Sequence, residues 1–150
     1  MRGTGMNLVN EMQIEFSALP ENEGFARVAV GVFLLPLDPI TEDMEDIKTA
    51  VSEAVTNAII HGYQNQFGMV RLAVQIYDDH HIEIEVSDKG IGIDNIEMAM
   101  QPLYTSCPEL ERSGMGFTVM ETFMDSLSVI SKRGNGTTIK MTKKLNLQDT

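Results

Sequence analysis

MQIEFSA, Met12 to Ala18, alternates apolar and polar side chains with period two, which predicts a strand resting one face on a core before the chain turns at Pro20. From Glu21 to Leu35 the apolar positions recur at helical spacing, predicting a first helix. Thr41, followed by Glu42, Asp43 and Glu45, has the form of an N-cap with acids in the first turn. It should open a second helix that runs to about Ile60, closes at Gly62 and packs through Ile47, Val51, Ala54, Val55, Ala58 and Ile59. Met69 to Tyr77 and Ile82 to Ser87 read as strands joined by a hairpin at Asp78 to His81. Asp94 to Ser113 is polar and broken by Pro102 and Pro108, predicting a long loop with one helical turn. Gly114 to Met124 is helical by pattern, and Leu127 to Leu145 predicts a closing hairpin turned near Gly134 to Gly136.

Hairpin strands around a few helices predict an α+β sandwich, a mostly antiparallel sheet with helices on one face, rather than a doubly wound parallel fold. The 150 residues suit a single domain with one substantial core. The expected organisation is a flexible N-terminal extension over 1–11, one domain over 12–145 and a frayed tail over 146–150.

Eleven basic against twenty-two acidic residues give a net charge of -11, which disfavours general affinity for nucleic acid or an anionic membrane. Five of the eleven basic residues, Lys132, Arg133, Lys140, Lys143 and Lys144, gather near the C-terminus, where they can serve as charged protection of strand edges or as an anionic site. A single cysteine, Cys107, excludes an internal disulfide and fits a reducing, cytoplasmic setting. Val28 to Leu37 is too short for a membrane span and is interrupted by Pro36.

The second helix carries a feature that packing does not require. Glu53, Asn57 and His61 stand four residues apart, so they are expected to stack on one shoulder of the helix's apolar stripe, beside small Ala50 and Ala54. Such a shoulder can face a cleft, although an Asn can also bond a loop carbonyl and a His can cap the last carbonyls of a helix. DKGIG, Asp88 to Gly92, follows an apolar strand and allows the backbone to approach a bound group closely. SGMGF, Ser113 to Phe117, opens a helix with two glycines, and helix N-termini suit phosphate. It is not a P-loop, since G-x-x-x-x-G-K-[ST] is absent. GNGTT, Gly134 to Thr138, alone is a hairpin turn.

Taken together and in this order, E-x-x-x-N, D-x-G-x-G, G-x-G and G-T-T resemble the ATP-binding domains of the gyrase, Hsp90, histidine-kinase and MutL (GHKL) superfamily, whose fold is the Bergerat-type sandwich. SEAVTNAIIHGY and PLYTSCPELERSGMGF are similar to its small serine-kinase branch, which includes anti-sigma factors of spore-forming bacilli. The resemblance implies an ATP-dependent protein serine kinase that uses ATP and Mg²⁺. It would inhibit a sporulation sigma factor of the sigma F kind and phosphorylate a serine of an anti-anti-sigma antagonist. The resemblance also implies a homodimer, and the net charge of -11 argues against direct contact with nucleic acid or membrane.

The implied roles fall on particular positions. Glu53 would be the general base, and Asn57 would hold Mg²⁺. Asp88 would accept from the adenine amino group, Thr137 would reach the ring through water, and Gly90 and Gly92 would pass close to the nucleotide. Gly114 and Gly116, with the amides of Met115 and Phe117, would cradle phosphate. Thr105, Ser106 and Arg112 would belong to a lid, with Arg112 on the γ-phosphate. Cys107 stands where the branch is expected to carry a Lys, which removes one cation from that lid. His61 is open between a helix-end role and contact with lid or nucleotide.

Three other functions compete: a related stress-response anti-sigma kinase, a detached histidine-kinase catalytic domain, and a nucleotide-gated module that only sequesters its partner. Arg27, among apolar neighbours on the first helix, marks the surface where a sigma factor is expected, and its stem is also suited to packing.

Overall fold

The computed structural model describes residues 6–64, 66–93, 95–101 and 116–149. Five strands form one fully antiparallel sheet: β1 (Leu8–Ser17), β2 (Met69–Tyr77), β3 (His81–Asp88), β4 (Ser126–Ser131) and β5 (Thr137–Lys144), in spatial order β1-β2-β3-β5-β4. The helices are α1 (Asn22–Leu34), α2 (Thr41–Asn57), the single turn α3 (Ile96–Ala99) and α4 (Gly116–Phe123). This is the expected α+β sandwich.

The period-two pattern sets which side chains point inward. Val70, Leu72, Val74 and Ile76 of β2, Ile82, Ile84 and Val86 of β3, and Ile139 and Met141 of β5 all lie in the core. They meet Ala26, Val30 and Leu34 of α1, Ile47, Val51, Ala54 and Val55 of α2, and Phe117 and Met120 of α4. Burying each larger aliphatic side chain contributes roughly 1.5–3 kcal/mol of transfer free energy. The opposite sheet face is polar: Arg71 meets Glu85 at 3.1 Å and donates to Gln13 at 2.6 Å.

Four local expectations need correction. The first strand starts at Leu8, not Met12, because Leu8 pairs with Tyr77 and Glu11 with Gln75, while Asn7 donates to the Asp78 carboxylate at 3.1 and 3.0 Å. Residues 8–11 are therefore paired strand rather than flexible extension. The N-cap of α2 is Ile40 instead of Thr41, and Ile40 makes no side-chain cap bond.

The tail is tied down as far as Gln148. Asn146 donates from its backbone and its amide to buried Asp43 at 2.8 and 3.1 Å, Leu147 bridges Pro39, and Gln148 donates its backbone N–H to the Asp38 carbonyl at 2.7 Å. Asp43 thus spends its carboxylate on the returning chain.

Finally, α2 does not run on as an α-helix to Ile60. Ala58–Gly62 forms a π-helical turn, closed by Tyr63 N–H on the Ala58 carbonyl at 3.0 Å. His61 therefore sits on a wider turn and is not in α-helical phase with Glu53 and Asn57. The reason lies at the end of this turn, where Gly62 serves two partners outside the helix.

Candidate functional site

Three chain segments converge at the C-terminal end of β3. The first is the π-helical turn that ends α2, the second is the loop leaving Asp88, and the third is the start of β5, where Thr137 is the cross-strand partner of Asp88. Asp88 is 7% exposed, and its carboxylate lies against the Cα of Gly62, where a Cβ would come within 2.8 Å of it. Oδ1 accepts the N–H of Gly90 at 2.8 Å. Burial pushes the Asp88 carboxyl above its ordinary value of 3.8, and the backbone N–H groups of Gly90 and Thr137 pull part of that shift back. A buried carboxylate is an acceptor of the kind that recognition of an amino group requires.

The loop from Lys89 to Ile93 is held amide by amide. Lys89 N–H donates to the Tyr63 hydroxyl at 2.8 Å, Ile91 N–H to the Gly62 carbonyl at 2.9 Å, and Ile93 N–H to Ser131 Oγ at 2.7 Å. Gly134 N–H in the β4–β5 turn donates to the Ile91 carbonyl at 2.6 Å. Gly90 is required by close approach, since a Cβ there would meet the Gly62 carbonyl oxygen at 1.9 Å. Gly92 adopts φ +78°, and a Cβ there would meet the Lys132 carbonyl oxygen at 2.1 Å. These two glycines let the loop fold back onto the helix end and the closing hairpin.

Thr137 is buried, with its hydroxyl 2.8 Å from Ser131 Oγ, which also donates to the Gly136 carbonyl at 3.1 Å. Glu53 and Asn57 are half-buried on α2, and His61 is half-buried on the π-turn. Gly116 and Phe117 begin α4, which packs along α2. Asp88, Gly90, Gly92 and Thr137 thus form one cluster at the end of α2. Thr105, Ser106, Arg112, Gly114 and Met115, with Cys107, lie outside the described residues. Sequence reasoning missed Gly62, Tyr63 and Ser131. The HGY that closes α2 carried a signal, because a Gly and an aromatic follow the polar shoulder directly, but Ser131 is an ordinary strand residue by pattern.

An antiparallel sheet covered by helices on one face, with a glycine loop folded over a buried aspartate at the end of a long helix, defines a GHKL-type ATPase domain. The profile of the Histidine kinase-like ATPase domain matches residues 16–143. The chain is 61% identical over 139 residues to "Anti-sigma F factor" of Clostridium beijerinckii, covering 92% of this chain and 96% of that protein. It is 62% identical over 138 residues to "Anti-sigma F factor" of Clostridium perfringens, covering 91% and 98%. The chain therefore belongs to the histidine kinase-like ATPase family, in the branch that holds the anti-sigma F factors.

Among solved structures, the RsbU and RsbW domains of Rv1364c from Mycobacterium tuberculosis match with a TM-score of 0.68 at 20% identity, over 95% of this chain and 35% of that longer one. A blue-light activated histidine kinase domain from Erythrobacter litoralis matches with a TM-score of 0.52 at 21% identity, over 69% of this chain and 45% of that one. These two likenesses speak to the fold alone.

Proposed function

We propose that this protein is an anti-sigma factor that sequesters a sporulation sigma factor of the sigma F kind and uses Mg-ATP to phosphorylate a serine of its anti-anti-sigma antagonist. The observation that carries the nucleotide half of this reading is Asp88: a buried carboxylate at the end of β3, with the glycine loop folded beside it, suits the adenine amino group. Thr137 would reach the ring through water, and Gly90 and Gly92 would let the loop lie close to it. Gly116 and the Phe117 amide, at the start of α4, would meet phosphate together with Gly114 and Met115.

Asn57 offers a half-buried hard oxygen donor of the kind Mg²⁺ accepts. Because Mg²⁺ usually keeps several waters and takes further oxygens from phosphate, these would complete the coordination. The ion would neutralise charge on the phosphates. Glu53, one helical turn before Asn57, would take the proton of the acceptor serine as its oxygen attacks the γ-phosphorus and ADP leaves. Thr105 and Ser106 in the lid, and Arg112 on the γ-phosphate, follow from family resemblance alone.

The sigma factor would dock on α1, where Phe25, Val28, Val32 and the adjacent Leu35 are 55%, 58%, 63% and 63% exposed and Arg27, held 3.2 Å from Glu23, stands beside them. A cytoplasmic homodimer belongs to the same reading, and light scattering that found only monomer would remove it.

Incubating the pure protein with labelled ATP, Mg²⁺ and candidate antagonist and sigma proteins tests the whole reading. Phosphate should appear on the antagonist and not on the sigma factor. Glu53→Ala should abolish transfer while ATP and sigma binding persist; transfer at the normal rate in that variant would refute the base assignment. Sigma binding without any transfer in the parent protein would leave a nucleotide-gated sequestering module.

A further inference from the structure

Two hydroxyl groups fasten the loop that follows Asp88, one at each end. At the near end stands Tyr63, the first residue beyond the π-turn. Its ring lies against Gly68, where a Cβ would come within 2.3 Å of ring carbon, so the phenol has little room to swing. Its hydroxyl donates to the Met69 carbonyl at 2.7 Å and accepts the Lys89 N–H at 2.8 Å. One oxygen therefore links the start of β2, the end of the α2 segment and the peptide unit next to Asp88.

At the far end, Ser131 Oγ accepts Ile93 N–H at 2.7 Å, donates to the Gly136 carbonyl at 3.1 Å and sits 2.8 Å from Thr137 Oγ1. With its single proton on Gly136, Ser131 takes the Thr137 proton as well, leaving Thr137 lone pairs for a partner on the other side. Between these ends the Ile91 N–H and carbonyl go to Gly62 and Gly134. The loop contains two glycines, and a free glycine-rich segment loses much conformational entropy when a ligand orders it.

We infer that Tyr63 and Ser131 are positioning residues that fix the Asp88–Ile93 loop in its ligand-ready shape before nucleotide arrives. Their effect is to spare binding the entropy of ordering that loop. This rests on the ATP reading above. Tyr63 acts through the loop and Ser131 through the loop and Thr137, so both touch the base end of the nucleotide only indirectly. Their removal therefore weakens ATP and ADP alike and leaves the discrimination at the γ-phosphate unchanged.

The test uses the full chain and two conservative variants, Tyr63→Phe and Ser131→Ala, titrated with ATP and with ADP in Mg²⁺ buffer by calorimetry. Amide hydrogen exchange is followed in parallel. Tyr63→Phe should speed exchange at Lys89 and Gly90, Ser131→Ala should speed it at Ile93, and core amides such as Val74 should keep their protection. Each variant should bind ATP and ADP about three- to ten-fold more weakly, by the same factor for both. In kinase assays KM for ATP should rise while kcat holds.

Faster loop exchange with unchanged nucleotide affinity would overturn the inference, as would unequal losses for ATP and ADP. A fall in thermal midpoint with unchanged loop exchange and affinity would assign both hydroxyls to fold stability alone and overturn it too. If the parent protein bound neither nucleotide, the ATP reading would fall and the positioning role with it. If the parent bound normally and both variants did the same, only the positioning role would fall.

Discussion

The two long helices invert what their compositions suggest. α1, NEGFARVAVGVFL, is the more apolar, yet only Ala26, Val30 and Leu34 are buried, and Phe25, Val28, Val32 and the adjacent Leu35 stand more than half exposed. α2 holds eight ionisable residues or hydroxyls in its first twelve positions, yet it buries Asp43, Ile47, Ala50, Val51, Ala54 and Val55 and touches α1, α4 and the sheet. Apolar content therefore does not rank burial. What decides is how many neighbours an element has, and α2 lies at the centre of the helical layer while α1 covers its edge. An apolar stripe left over at an edge has to be read as contact surface or as exposed cost.

Breaking this contrast should be easiest at the centre. Ile47→Ala, at a fully buried site on α2, should cost about 2–5 kcal/mol in chemical denaturation, through lost transfer energy and an unfilled cavity. A loss under about 1 kcal/mol would mean that the helical layer repacks freely. Next in size, Asp88→Asn should weaken ATP binding by ~1.5–3 kcal/mol, since a charged acceptor becomes a neutral amide. Unchanged calorimetric affinity would remove Asp88 from the adenine contact.

The same carboxylate gives a pH signature. Its folded value lies above 3.8, so the folded chain holds that proton more tightly than the unfolded chain, and this group's contribution to stability falls as pH rises through the window just above 3.8. Amino-group recognition needs the ionised form, so ATP affinity should fall as pH drops into the same window, with proton release on binding there. Asp88→Asn should flatten both dependences. Asp43→Ala comes next, at about 1–3 kcal/mol of stability, because it strands the two Asn146 donors that strap the tail. The smallest change should come from the edge helix: Val32→Ser should move stability by no more than about 0.5 kcal/mol. If α1 is the docking face, the same substitution should weaken sigma binding in a pull-down or titration.

Much of the architecture was legible because alternation in β2, β3 and β5 and the stripe of α2 are long enough to be unambiguous. Asp88 and Thr137 could be paired in advance only through motif order, since nothing local says that residues 49 apart become cross-strand partners. The strand at Leu8 escaped notice because LVNE does not alternate, and the tail escaped because its anchor, Asp43, looks like an ordinary first-turn acid. The π-turn was invisible for a further reason: AIIHG is an acceptable α-helical sequence, and what bends its frame is the tertiary demand of Ile91 and Asp88 on Gly62.

A π-turn holds one residue more between a carbonyl and its bonded amide than an α-turn does. In genetic terms Ala58–Gly62 behaves as a one-codon insertion into a helix. Deleting a single codon there would restore the α-helical frame, let α2 run on unbroken, and turn the Gly62 carbonyl away from Ile91. The length of that segment should therefore be fixed, with exchanges of side chain tolerated best at half-buried Ile60 and His61, since Ala58, Ile59 and Gly62 are buried.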